Sequence, residues 1–216
     1  RLDVKGQGTV EDPYLLESRA QLEFIRANTS ANYALSDDVN GLVSRDYPSL
    51  DESFNPIDNF DGSLDGRNHT ISYLEISNGD QQGMFHVISG SVKDLALEEM
   101  EVEGDSDSGG LTGINKGEIS NVHVSANVKG NNPEVGGVAG LNKGNISSSS
   151  AEVEIIGTNT FGGLVGSNEG KITGSSAEIS VRTDEDHIYH IGGITGDNKG
   201  IIKDSSANST IKGERL

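Results

Sequence analysis

The chain has 216 residues, a formal net charge of −18, 29 glycines and no cysteine. The missing thiols exclude disulfide scaffolds, thiolate zinc sites, iron–sulfur clusters and cysteine nucleophiles. The acidic excess argues against nucleic acid and anionic membrane surfaces as partners, and no run of 18 apolar residues is present to insert into a membrane.

The elements begin with a short helix. Ser18 and Gln21 form a Ser-x-x-Gln capping box, and Ala20, Leu22, Phe24 and Ile25 follow, which predicts a helix over about 19–27. Tyr33, Leu35 and the Asp37–Asp38–Val39 stretch then look like a strand, and Asp46–Tyr47–Pro48–Ser49 a loop. One amphipathic helix ahead of a stack of strands is a way to cover a bare first sheet edge.

From Gly109 onward the chain repeats itself. GGLTGINKGEISNVHV, GGVAGLNKGNISSSSA, GGLVGSNEGKITGSSA and GGITGDNKGIIKDSSA start at Gly109, Gly136, Gly162 and Gly192, in steps of 27, 26 and 30. A degenerate fifth copy opens at Gly83, with Val92 where the later copies carry Ile119, Ile146, Ile172 and Ile202. A weaker sixth is read from Gly62, with Ile71 in that place. A unit this short cannot bury a face alone, so neighbouring units must stack. Glycine every few residues disfavours helix, and alternating apolar residues favour strands. The expected fold is all-β: a right-handed parallel β-helix (β-solenoid) of about eight coils, three short strands per coil, with a short N-terminal capping helix. Residues 1–60 are read as the cap and first coils, and 61–216 as the repeat body.

The invariant positions receive structural roles. Asn115, Asn142, Asn168 and Asn198 are expected to align as an inward ladder of amides. Gly117, Gly144, Gly170 and Gly200 are expected either at a corner of positive φ or where coils approach too closely for a Cβ. Ala151, Ala177 and Ala207 are expected to stack where the interior narrows.

GGLVGSNEGKITGSSA resembles the GLUG motif, and GTVEDPYLLESRAQLEFIRA with FDGSLDGRNHTISYLEI resembles the leader that precedes such repeats in secreted bacterial and archaeal proteins. The resemblance is close over 83–212 and looser over 6–76. It implies a parallel β-helix of surface proteins, among them adhesins and the non-catalytic part of some immunoglobulin A peptidases, and it implies no catalytic residues. The acidic insert Thr183–His190 of the fourth unit departs from the pattern.

The chain carries no H-E-x-x-H, no G-x-S-x-G and no phosphate loop, so no catalytic residues are assigned. The competing class is a polysaccharide lyase or hydrolase, which needs clustered carboxylates on adjacent coils. Calcium is the one cofactor considered. Asp58 and Asp61, and Asp105 and Asp107, place oxygen ligands at alternate positions before a glycine, short of a full cation loop. In the insert, Asp184, Asp186, His187, Tyr189 and His190 form a candidate partner-binding loop, with Asp184, Asp186, His187 and His190 as candidate metal ligands. Asn28, Asn68, Asn145 and Asn208 lie in N-glycosylation sequons. The expected role is extracellular, at the cell surface and non-catalytic: an adhesion or stalk module, or a filament subunit. The expected partner is a cell-surface protein or glycan, or a second copy stacked end to end on an uncapped C-terminal coil. The alternative is a calcium-dependent carbohydrate-binding or carbohydrate-processing β-helix.

Overall fold

The computed structural model describes residues 3–42, 53–77, 82–104, 106–130, 134–157, 160–183 and 190–213. Strands stack in parallel into three sheets of thirteen, six and four members. Successive repeats enter the sheets in the same direction, so each repeat adds parallel strands over those of the one before. The six-stranded sheet counts the coils: Ile57–Phe60, Phe85–Ile88, Thr112–Asn115, Ala139–Asn142, Val165–Asn168 and Thr195–Asn198. Among the described residues there are thus six turns rather than about eight. The two extra layers, Tyr14–Leu16 and Asn32–Leu35, extend only the long sheet, pairing Tyr14 with Tyr33 and Tyr33 with Leu64.

Register follows the repeat. Ile119 lies opposite Val92 and Ile146, and Ile172 opposite Ile146 and Ile202. Val92, Ile119, Ile146 and Ile172 are all fully buried, each side chain contributing roughly 1.5–3 kcal/mol. Further inward columns run through Leu97, Val124, Ala151 and Ala177, and through Met100, Ala126, Val153 and Ile179. Ser63 pairs with Ser91, so Leu64 and not Ile71 occupies the isoleucine column in the first coil. Ile71 lies opposite Leu97. The expected alignment from Gly62 is displaced because Gly62 stacks beneath Gly90, the glycine that ends the corner and not the one that opens the repeat.

The cross-section also differs from three separate strands. The two strands expected after the asparagine belong to one sheet, and in the second and third coils they run unbroken as Ser91–Gly104 and Glu118–Gly130. The bend within this sheet falls at Asp94, Asn121, Ser148, Gly174 and Asp204, whose φ values are +53, +52, +49, +58 and +52°. Asp, Asn and Gly tolerate this left-handed region best. The third sheet is formed by residues just ahead of the glycine pair: Ser108–Gly109, Glu134–Gly136, Thr160–Gly162 and His190–Gly192.

The cap is smaller than a nine-residue helix. Arg19–Leu22 is α-helical and Glu23–Ala27 is a 3₁₀ turn. Ser18 Oγ accepts from Gln21 N at 3.4 Å, but Gln21 Oε1 accepts from Glu17 N at 2.7 Å, one residue before the reciprocal capping-box partner. The Arg19 and Arg26 guanidinium groups lie 5.6 and 5.3 Å from the ring centre of buried Phe54. Aromatic contacts carry the cap into the coils: Tyr14–Phe24 at 5.3 Å, Tyr33–Phe60 at 6.3 Å and Phe60–Phe85 at 4.8 Å between centroids. The Tyr33 hydroxyl donates to Asn28 O at 2.7 Å, and burial pushes its pKa up to about 12. Asp37 and Asp38 form a turn between Asn32–Leu35 and Val39–Asn40, not a strand. The Asp46–Ser49 stretch lies outside the described residues.

Candidate functional site

The polar residues sort into those turned inside the solenoid and those turned outside. Inside, Asn115, Asn142 and Asn168 are fully buried. Asn115 Nδ2 donates to Asn142 Oδ1, Asn142 Nδ2 to Asn168 Oδ1 and Asn168 Nδ2 to Asn198 Oδ1, each at 2.8 Å. Asn115 Oδ1 also accepts from Gly117 N at 3.1 Å, satisfying a corner amide that no strand reaches. A second ladder, to which sequence reading assigned no role, uses serine. Val122 N donates to Ser149 Oγ, Ser149 N to Ser175 Oγ and Ser175 N to Ser205 Oγ, each at 3.2 Å. The signal is visible as the Ser that precedes Ser-Ala in the last three repeats.

The acidic candidates do not converge. The Asp58 side chain is 89% exposed on the Ile57–Phe60 strand, and its Oδ1 lies 3.1 Å from His86 Nδ1. Asp61 is exposed at the corner that follows. Asp105 lies outside the described residues, whereas Asp107 is buried. Among the described residues no group of three or more His, Asp or Glu side chains could hold a metal ion. Asp38 serves the backbone instead. Its Oδ1 accepts from Thr70 N at 2.9 Å and meets His69 Nδ1 at 3.2 Å, and these hydrogen bonds hold its carboxyl below the usual range.

Sequence reasoning missed a carboxyl pair on adjacent coils. Val135 pairs with Ser108, which sets Glu134 beside Asp107. The Asp107 side chain hydrogen-bonds the Glu134 carboxyl. That bond, with desolvation and the Asp107 charge, raises Glu134 from 4.5 to about 8. The sign follows directly. Folded Glu134 keeps a proton that the unfolded chain loses near pH 4.5, so its contribution is full below pH 4.5 and is lost as pH rises to about 8. Denaturant melts across pH 4–9 should show this decline, and Glu134→Gln should flatten it.

Of the insert, His190 is exposed and opens the His190–Gly192 strand opposite Thr160. Asp184, Asp186, His187 and Tyr189 lie outside the described residues. Among the sequon asparagines, Asn28 Oδ1 accepts from Ser30 N at 3.3 Å and Asn145 Nδ2 donates to Glu118 Oε1 at 2.6 Å. Asn68, at φ +62°, and Asn208 are exposed.

The outer face of the long sheet is polar and acidic. Stacking sets Glu152 opposite Glu178 and Glu75 opposite Glu101. Neighbouring cations offset part of the repulsion, with Lys129 Nζ 2.9 Å from Glu103 and Arg182 Nη1 3.3 Å from Glu154. Like charges directly opposite destabilise a sheet, and salt shortens their reach from about 10 Å at 0.1 M to about 3 Å at 1 M. The melting temperature should therefore rise between 0.1 and 1 M NaCl, as calorimetry would show.

These features define a parallel β-solenoid whose repeated polar side chains are used to build its interior. No family model matches the chain. It is 34% identical over 134 residues to "Halomucin" of Haloquadratum walsbyi, covering 58% of this chain and 2% of that protein. It is 32% identical over 130 residues to the "Putative Gly-rich membrane protein" of Evansella cellulosilytica, covering 55% of this chain and 15% of that one. The chain thus spans a small fraction of the length of these curated relatives. Among solved structures it resembles "a putative immunoglobulin A1 protease from Bacteroides ovatus" at a TM-score of 0.72 and 21% identity, covering 96% of this chain and 69% of that one. That likeness is one of fold. No helix among the described residues is long and apolar enough to cross a membrane.

Proposed function

We propose that the chain is a GLUG-type solenoid segment of a large extracellular surface protein, serving as a stiff stalk that carries or forms an adhesive surface. The observation that carries this reading is the regular register of the six rungs in the six-stranded sheet. At about 4.8 Å per rung they make a rod about 29 Å long. Buried amide and serine ladders run along the rod, so bending it would break hydrogen bonds inside the core. The alignments to short stretches of a halomucin and of a Gly-rich membrane protein support a place within a long surface polypeptide. The acidic flank suits a surface that must stay hydrated and unaggregated.

Small-angle scattering on the purified chain should give a rod with one cross-section at low and molar salt. An antibody raised against it should label the outside of intact cells that make it. Labelling confined to permeabilised cells would remove the surface assignment. Light scattering with negative-stain microscopy then separates the two forms of the proposal: monomeric rods mark a stalk or adhesin segment, and end-to-end rods mark a stacking subunit.

A further inference from the structure

One cluster on the outer face of the long sheet has the composition of a nucleophile with its base. His123 Nδ1 lies 2.8 Å from Ser150 Oγ, and His123 Nε2 lies 3.7 Å from Glu98 Oε1. The three residues come from three successive coils and meet only because the coils are in register. Among the described rungs this column places a histidine once, with Ala96 before it and Ser150, Ser176 and Ser206 after it.

The backbone beneath Glu98 is irregular at this point. Val124 pairs with Leu97 and Ala126 with Met100, so Glu98 and Glu99 together face the single residue Ser125. This is a β-bulge, and Glu99 takes a left-handed φ of +53°. Bulges re-aim side chains and gather beside functional sites, and left-handed backbone at a non-glycine residue costs energy that regular pairing would avoid. The bulge lies beside the carboxylate that faces the imidazole. A shallow depression of about 370 Å³ opens beside the cluster, lined by His123, Ser150, Ser176, Glu152 and Glu178.

We infer that Ser150 and His123, with Glu98 as a positioning residue, form an ester-hydrolysing centre on the lateral face, going beyond the role of the solenoid as a rod. The arrangement has two elements of an activated hydroxyl: a nucleophile bonded to a base, and a carboxylate at ion-pair distance from the far nitrogen of that base. With the neutral imidazole protonated on Nε2 toward Glu98, Nδ1 accepts the hydrogen bond of the Ser150 hydroxyl. Ser150 Oγ attacks the ester carbonyl and its proton passes to His123 Nδ1. The Glu98 carboxylate stabilises the imidazolium. Collapse of the tetrahedral adduct breaks the bond to the alcohol oxygen, which takes the proton back from His123 and leaves as the alcohol. Water, deprotonated by His123, then attacks the acyl-Ser150; the bond from the acyl carbon to Oγ breaks, Oγ takes the proton from His123, and the carboxylic acid is released with Ser150 and the neutral imidazole regenerated. Ser176, the register partner of Ser150 one rung on, lines the same depression, and in this proposal its hydroxyl is the donor to the developing oxyanion.

The setting narrows the substrate. One hydroxyl is a weak oxyanion donor, which favours esters with good leaving groups over amides. Glu152 and Glu178 flank the depression and repel anionic substrates. An open depression accepts short acyl groups carried on an extended neutral chain.

The test uses p-nitrophenyl acetate turnover together with labelling by a fluorophosphonate probe, mapped by mass spectrometry. Label at Ser150 is expected. Turnover should fall to the buffer rate in Ser150→Ala and by about a hundredfold in His123→Ala, the usual share of a general base. Glu98→Gln should lower kcat while leaving KM unchanged, a split that a purely structural role would not produce. Unchanged melting temperatures would show that the variants fold. No label at Ser150, or turnover that persists in Ser150→Ala, overturns the proposal without touching the reading of the chain as a surface rod.

Discussion

Gly144→Ala should destabilise the solenoid by about 3 kcal/mol or more, the upper range for overpacking a closely fitted interior. A Cβ at Gly144 would stand 2.1 Å from Gly117 O in the coil before it, and that oxygen belongs to backbone. Relief requires two rungs to part, which stretches the neighbouring bonds from Gly144 N to Asn115 O and from Asn145 N to Gly117 O. Gly117, Gly170 and Gly200 meet the same contact at 2.0, 2.1 and 2.1 Å. Of the two explanations available for this column, close approach is therefore the one that operates, because none of the four has a positive φ. Gly174 is the control. Its φ is +58° and its nearest neighbour to an added Cβ is Ser148 Oγ at 3.9 Å. Gly174→Ala meets only the backbone preference, about 1 kcal/mol, which Asp94, Asn121, Ser148 and Asp204 already bear in the same column. Denaturant melts of the two variants should separate clearly, and equal losses would contradict the packing account.

Asn142→Ala is expected to cost about 3 kcal/mol, because buried polar groups on both sides lose partners at once. Asn115 Nδ2 loses its shortest acceptor and keeps only Gly117 O and Asn145 O at 3.4 and 3.3 Å, Asn168 Oδ1 loses its donor, and the bond from Asn142 Nδ2 to Gly144 O at 3.3 Å disappears. No water replaces them cheaply in an interior where Asn115 and Asn168 are fully buried. Asn198→Ala, at an exposed rung, should cost less than about 1 kcal/mol, as partly solvated hydrogen bonds do. A double-mutant cycle between Asn142 and Asn168 should show coupling, since they share a bond. Additive losses would mean that each amide serves only its own corner.

The sequence by itself determined the period, and the period determined the stack. Residues recurring every 26 to 30 positions, with apolar alternation between them, have one way to bury a continuous face, which is to lie over their own copies. Hence the isoleucine column and the glycine pairs are legible in the sequence. The first coil is misaligned there because Gly62 matches either the opening or the closing glycine of the repeat, and only pairing of Ser63 with Ser91 distinguishes them. The bend at Asn121, Ser148 and Gly174 is hidden because the backbone conformation recurs there while the residue type does not.

What the tertiary structure alone decided lies between copies. Glu98, His123 and Ser150 are ordinary polar residues about one period apart, and so are Asp107 and Glu134. A sequence pattern reports what recurs at equivalent positions. It is silent on the odd residues that stacking brings within hydrogen-bond reach across a rung, because their meeting depends on register, on the bulge at Glu98–Glu99 and on which way each side chain faces.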